Sequence, residues 1–158
     1  MIIWINGSMN AGKTTVARIL KDKIPRVAHV EKLRQFIEWM PIEESIPLNM
    51  KNITSLTRNF VQAGLNVIIS YPVSSENFAT VQRSLADLGQ DIQVFTLAPS
   101  LDIVTTNRGQ RELADWEVDV IRESYTDGLA TPDFGVIIDN SHQTPDQTAQ
   151  YILDTLSK

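Results

Sequence analysis

The chain has 158 residues, 42% hydrophobic and 21% charged, with a net charge of -5 and no cysteine. Those values fit one soluble globular domain, residues 1–158, with a sizeable core. They exclude disulfides and thiolate metal sites and argue against the basic platform that nucleic acid requires, and no run approaches the about 18 apolar residues of a membrane span.

The first predicted element is Ile2-Ile3-Trp4-Ile5, an apolar run with the length of a strand buried on both faces. An opening core strand leaves no room for a signal peptide, so a cytoplasmic protein is expected. Gly7-Ser8-Met9-Asn10-Ala11-Gly12-Lys13-Thr14 follows and matches G-x-x-x-x-G-K-[ST], the phosphate-cradling P-loop or Walker A motif. Gly7 and Gly12 lack the side chain that would hinder the backbone from folding round an anion, so successive N–H groups can point inward. A helix is expected from Lys13 to about Lys23, with Thr15 in its first turn and Val16, Ile19 and Leu20 on one face. Its free N–H groups and dipole favour phosphate. Lys13 is expected to reach the β- and γ-phosphates of ATP, and the Thr14 hydroxyl to ligate Mg²⁺. The alternative is a glycine turn that binds nothing, but a strand before and a helix after are the context a P-loop needs.

Val27-Ala28-His29-Val30 reads as a second strand. A helix is expected over Glu31 to Met40, ended by Pro41, then an irregular acidic stretch from Pro41 to Pro47. A longer helix should run from about Asn49 to Ala63, with Gly64 as its cap. Asn66 to Ser70 is the third strand, and Tyr71-Pro72 turns the chain at its carboxyl end. Ser75 is read as the N-cap of a helix from Glu76 to Leu88, closed by Gly89. Ile92 to Leu97 is the fourth strand, and Leu101 to Asn107 should be helical. Arg108-Gly109-Gln110-Arg111 interrupts that pattern before helix resumes around Leu113 to Tyr125. Val136 to Asp139 is the fifth strand, and Thr144 with Pro145 opens the last helix. Strand and helix alternate throughout, the α/β pattern of a parallel sheet covered on both faces.

With these motifs in place, the chain resembles the small P-loop kinases related to shikimate kinase, gluconate kinase, chloramphenicol phosphotransferase and adenylate kinase. Its opening, Met1 to Thr14, looks most like that of tunicamycin-resistance and chloramphenicol phosphotransferase-like proteins. Further likeness covers His29-Val30-Glu31-Lys32-Leu33-Arg34, the Arg108/Arg111 segment, Asp139-Asn140-Ser141 and Thr144-Pro145. The resemblance implies a three-layer P-loop NTPase fold like that of nucleoside-monophosphate kinases, with a five-stranded parallel sheet ordered 2-3-1-4-5 and a small mobile lid. It also implies transfer of the ATP γ-phosphate to the alcohol group of a small molecule: a sugar acid, a cyclic polyol or a hydroxylated antibiotic.

Ligands of such sheets gather outside the carboxyl ends of the strands. Glu31 lies there, past the second strand, where the resembling kinases usually carry Asp. It is a candidate base or hydroxyl-orienting group, with a helix N-terminal carboxylate as the alternative. Arg34 is a candidate anchor for the acceptor. His29 shares a face with Glu31 and is read first as a structural histidine. Arg108 and Arg111 are placed on the lid, over the phosphates, against the alternative of a solvated helix face. Tyr71 either touches the acceptor or packs under its turn; Trp116 and Tyr125 are expected to pack. Asp139 and Asn140 are placed on the adenine side. Ser70 stands where a Walker B aspartate is usual, so the second Mg²⁺ partner stays open among Thr14, Glu31 and Ser70. The rivals are a nucleoside-monophosphate kinase, for which Arg34 and Arg58 are too few cations, and a nucleotide-binding regulator without an acceptor.

Overall fold

The structure, a computed structural model, describes residues 1–108 and 112–157. Five parallel strands, β1 (Ile2–Gly7), β2 (Val27–Val30), β3 (Asn66–Ser70), β4 (Ile92–Leu97) and β5 (Val136–Ile138), lie in the order β2-β3-β1-β4-β5. The central strand is β1, and every one of its residues is buried. Its alternate side chains feed two cores. Ile2 and Trp4 join Val67, Ile69 and Val94 beneath α2 (Ile42–Gln62) and α3 (Ser75–Leu85), which contribute Met50, Ile53, Phe78 and Val81. Ile3 and Ile5 join Ile68, Phe95 and Leu97 beneath α1 (Lys13–Lys23) and α6 (Pro145–Leu156), which contribute Val16, Leu20, Ala149 and Ile152. Each of those large side chains removes about 1.5–3 kcal/mol worth of apolar surface from water, which is why the sheet forms at the centre. Trp4 also donates its indole N–H to the Tyr71 carbonyl at 2.7 Å, fixing the chain where it leaves β3.

The strands fall where the apolar runs predict. The helices differ in instructive ways. Glu31 to Met40 is not an α-helix but a 3₁₀ stretch, Leu33–Ile37. Lys32 enters it in the left-handed region at φ 57°, and the Arg34 guanidinium takes the carbonyls of Ile37, Glu38 and Met40. Of the expected apolar stripe only Leu33 is buried, so no packing favours a longer helix. Conversely, α2 begins at Ile42 rather than Asn49, with Pro41 as N-cap and Glu43 and Glu44 in its first turn, where the dipole favours them. Pro47 sits inside this helix, costing a ladder bond that the burial of apolar Met50 and Ile53 offsets.

The cap of α3 is Ser74, whose hydroxyl accepts from the Asn77 N–H at 3.3 Å, while Ser75 bonds Asp133 instead. The same helix stops at Leu85 and tightens into a 3₁₀ turn, Ala86–Leu88, before Gly89 at φ 61°. Past β4, α4 is a single turn (Leu101–Val104), shorter than expected, and α5 covers Asp115–Thr126. Thr144 and Pro145 open α6 as the sequence indicates, with Gln147 completing a capping box. Among the described residues, no helix is long and apolar enough to cross a membrane.

Candidate functional site

The site is built from the junction of β1 and α1. A Cβ on Gly7 would lie 2.5 Å from the Leu97 carbonyl oxygen, so only glycine lets β1 run this close to β4 at φ 136°. At Gly12 the demand is conformational: φ is 100°, while the nearest obstacle to a Cβ is Asn140 Nδ2, 3.9 Å away. Asn10 also adopts a left-handed conformation, at φ 62°. Its amide nitrogen donates to the Val104 and Thr106 carbonyls, at 2.7 and 2.9 Å, tying the loop to the end of α4.

Lys13 folds back under the loop and donates from Nζ to the Ser8 carbonyl at 2.7 Å. Desolvation there lowers its pKa from 10.5 to about 8. A cleft of about 690 Å³ opens over these groups. Loop and helix residues 9–16, Thr14 and Thr15 included, form one wall; Arg108, Asn140, Gln143 and Pro145 form the other. Arg108 donates to the Asn140 carbonyl at 3.3 Å, while its second terminal nitrogen is buried without a partner among the described residues. Asn140 donates from Nδ2 to the Ala11 carbonyl at 3.1 Å, and its buried Oδ1 has no hydrogen bond among the described residues. The cleft lining thus holds an unused donor on Arg108 and an unused acceptor on Asn140, the pattern expected where a ligand completes the network.

Asp139 is not a wall of the cleft. It is exposed, and its carboxylate accepts from the Ser141 backbone N–H at 2.9 Å and from the Ser141 hydroxyl, bonds that lower its pKa. Ser141 accepts in turn from the Ser100 N–H at 2.8 Å, so Asp139 holds the turn that presents Asn140. Arg111, the second expected lid arginine, lies outside the described residues.

Glu31, expected on the acceptor side, stands just past the end of β2 with its side chain 21% exposed. Its Oε1 meets Arg18 of α1 at 3.4 Å and lies 4.0 Å from His29 Nδ1, while Oε2 is buried without a hydrogen bond among the described residues. Arg18 follows Thr14 by one helical turn, so Glu31 lies beneath the side of α1 that carries the Thr14 hydroxyl. The other nitrogen of His29 is 2.9 Å from the Ser70 hydroxyl. Burial lowers the His29 pKa, against the opposing pull of Glu31.

Two expected acceptor residues are otherwise engaged. Arg34 spends its guanidinium on three carbonyls of its own loop, two of them at 3.0 and 2.7 Å. Tyr71 packs against the core, and its hydroxyl accepts from buried Asn49 at 3.0 Å. Tyr125 donates to the Pro99 carbonyl, two residues past β4, whereas Trp116, also expected to pack, is 61% exposed. Arg18, Asn49 and Gln143 were missed. Only Arg18 carried a signal, its spacing of four from Thr14.

No cluster of three or more His, Asp or Glu among the described residues could hold a metal alone. The donors that the candidate residues offer, on Thr14, Ser70 and Glu31, are hydroxyl and carboxylate oxygens, hard ligands that suit Mg²⁺ shared with phosphates. The buried Ser70 hydroxyl at the end of β3 is a further hard oxygen on the α1 side of the sheet, so the residues fit such an ion.

No family model matches the chain, and no curated protein matches it by sequence. Solved structures do match in shape. The Deinococcus radiodurans tunicamycin resistance protein superposes with a TM-score of 0.63 at 24% identity, over 98% of this chain and 94% of that one. A gluconokinase from Sinorhizobium meliloti gives 0.68 at 13% identity, over 99% and 91%. The Mycobacterium tuberculosis APS kinase in complex with AMPPNP and APS gives 0.66 at 16% identity, over 99% and 97%. At identities this low the likeness is one of shape, and the fold of this chain is that of the small P-loop kinases.

Proposed function

We propose that this chain transfers the γ-phosphoryl group of ATP to the hydroxyl of a small molecule, a sugar acid, a cyclic polyol or a hydroxylated antibiotic. The observation that carries the reading is the cleft over the P-loop, where Lys13 lies under the loop and Arg108 faces it with an unfilled donor. Two cations flanking one anion-shaped cradle suit a phosphoryl group in transit better than a static phosphate. Lys13 binds the β- and γ-phosphates, Arg108 stabilises charge in the transition state, and Asn140 with Gln143 and Pro145 flanks the base. Mg²⁺, held by Thr14 and the nucleotide, supplies neutralising charge on the phosphate oxygens. Glu31 orients the acceptor hydroxyl and takes its proton as the new ester bond forms and ADP leaves.

The self-bonded Arg34 speaks against a phosphorylated acceptor and hence against a nucleoside-monophosphate kinase. A regulator that holds nucleotide without an acceptor draws support from Ser70, which leaves β3 without a terminal carboxylate. One panel separates the readings. Purified protein with ATP and Mg²⁺ is mixed with hydroxylated metabolites and antibiotics, ADP is followed, and products are identified by mass. The expected result is one acceptor class gaining 80 Da, about the mass added when phosphoryl replaces a proton. In parallel, ATP at about a hundred times its Kd should stabilise the fold by about 2.7 kcal/mol, and Lys13→Ala should remove most of that gain. Stabilisation without any product favours the regulator, and no stabilisation at millimolar ATP overturns the nucleotide site.

A further inference from the structure

In P-loop enzymes the metal is held by the loop's hydroxyl and by a carboxylate on a neighbouring strand. Here β3, the strand beside β1, ends on Ser70, a neutral hydroxyl and by itself a weak acceptor for a metal-bound water. Ser70 is not by itself. It is 7% exposed, and its Oγ lies 2.9 Å from His29 Nε2 on the adjacent strand. The register explains the meeting: His29 pairs with Ile68, and Ser70 follows Ile68 by one strand period, on the same face. Glu31 follows His29 by the same period, and its Oε1 lies 4.0 Å from the other ring nitrogen. The ring joining them is 6% exposed. The three groups lie on the α1 side of the sheet, where Arg18 reaches Glu31 one turn beyond Thr14.

We propose that Ser70, His29 and Glu31 together replace the absent carboxylate, making the Ser70 hydroxyl an oriented acceptor for a water of Mg²⁺ held by Thr14 and nucleotide. The inference rests on the nucleotide-binding part of the proposed function. A carboxylate beside Nδ1 favours the tautomer with hydrogen on that nitrogen, as such partners do for metal-site histidines. At 4.0 Å it orients the N–H by charge rather than by a formed hydrogen bond. Nε2 is then an acceptor, and the Ser70 hydroxyl donates to it. With its proton committed, Ser70 Oγ presents only lone pairs outward, the polarity a carboxylate would offer. Glu31 thereby serves two purposes with two oxygens: Oε1 faces Arg18 and His29, and Oε2 stays free for the acceptor. His29 and Ser70 are positioning residues, touching neither nucleotide nor acceptor.

The alternative is that the 2.9 Å bond merely fastens β2 to β3. The two differ in metal dependence. AMPPNP binding is measured by calorimetry in EDTA and in Mg²⁺, and Mn²⁺ binding to the protein–AMPPNP complex by electron paramagnetic resonance. Ser70→Ala and His29→Asn should bind metal-free AMPPNP as the parent does, yet lose about 10–100-fold in metal affinity, the usual effect of losing a second-shell partner. Ser70→Asp placed on His29→Asn should restore metal affinity, which a fastening role would not predict. A folded Ser70→Ala whose Mn²⁺ affinity stays within about twofold of the parent overturns the proposal, whatever the fate of the histidine variant. Parent protein that binds AMPPNP equally with and without metal overturns it too, while leaving the nucleotide site intact. Parent protein that binds no AMPPNP removes the nucleotide site and the proposal together.

Discussion

The P-loop side and the Glu31 side of this molecule, proposed above to take nucleotide and acceptor, are held in different ways. Around the P-loop, backbone conformation sets the shape, with Gly7 and Gly12 at φ 136° and 100°, and two asparagine side chains pin it, Asn10 on two carbonyls and Asn140 on that of Ala11. Around Glu31 the arrangement belongs to side chains. Arg34 cinches its own loop, His29 bridges two strands, and Phe36 and Trp39 are 80% and 77% exposed. A phosphate chain looks the same in every nucleotide, so a backbone cradle serves it once and for all. An acceptor differs from one enzyme to the next, and side chains can change without disturbing the fold.

Three substitutions or conditions test that division. The largest effect should come from Arg108→Ala, on the nucleotide side. A cation stabilising the phosphoryl group in flight is worth about 10³–10⁵ in turnover, so kcat should collapse while ATP affinity changes little. A loss under about twofold, in steady-state assays, would return Arg108 to a structural role. Next comes Glu31→Gln, on the acceptor side, which should lower transfer by about 10²–10⁴ while metal-free ATP binding stays intact. Full activity in a well-folded Glu31→Gln protein would break the comparison at its acceptor end.

The smallest effect is a slope in pH. Lys13 has its pKa lowered to about 8, against 10.5 for the unconstrained side chain. Between those values the unfolded chain binds the extra proton, so stability of the nucleotide-free protein should rise with pH across that window. The cost of desolvating the ammonium is present below about pH 8 and relieved above it. Metal-free ATP affinity should fall over the same window, because the cation it needs is lost. Denaturant titrations from pH 7 to 10 on parent and Lys13→Met check this: the difference between their slopes isolates Lys13 from other groups titrating there. Parallel slopes would mean that Lys13 keeps its proton throughout.

The sheet was legible because its strands are apolar runs of ordinary length, bracketed by Gly and Pro. The P-loop was legible because its spacing is set by backbone geometry that few sequences satisfy. What escaped reading depended on side chains acting at a distance. Nothing local in Glu31 to Met40 reveals that Arg34 takes three carbonyls, and the helical spacing of Leu33, Phe36 and Ile37 pointed the other way. Pro47 suggested a break, yet tertiary burial carried α2 through it. Asp139 was placed with Asn140 on the adenine side, and only the Ser141 bonds show its carboxylate turned to a neighbour. The meeting of Ser70, His29 and Glu31 follows from strand order and register, which no single stretch encodes.

The two bonds from Asn10 to the Val104 and Thr106 carbonyls have a mechanical consequence. Arg108 is two residues beyond the held Thr106 carbonyl, a tether of at most about 7 Å of extended chain. Its pivot is therefore a residue of the loop that would carry the phosphates, not a remote hinge. When the loop shifts, the arginine's anchor shifts with it, and errors in their relative placement do not accumulate across the sheet. In the proposed function, Arg108 and the phosphates would thus share one mount, centred on Asn10.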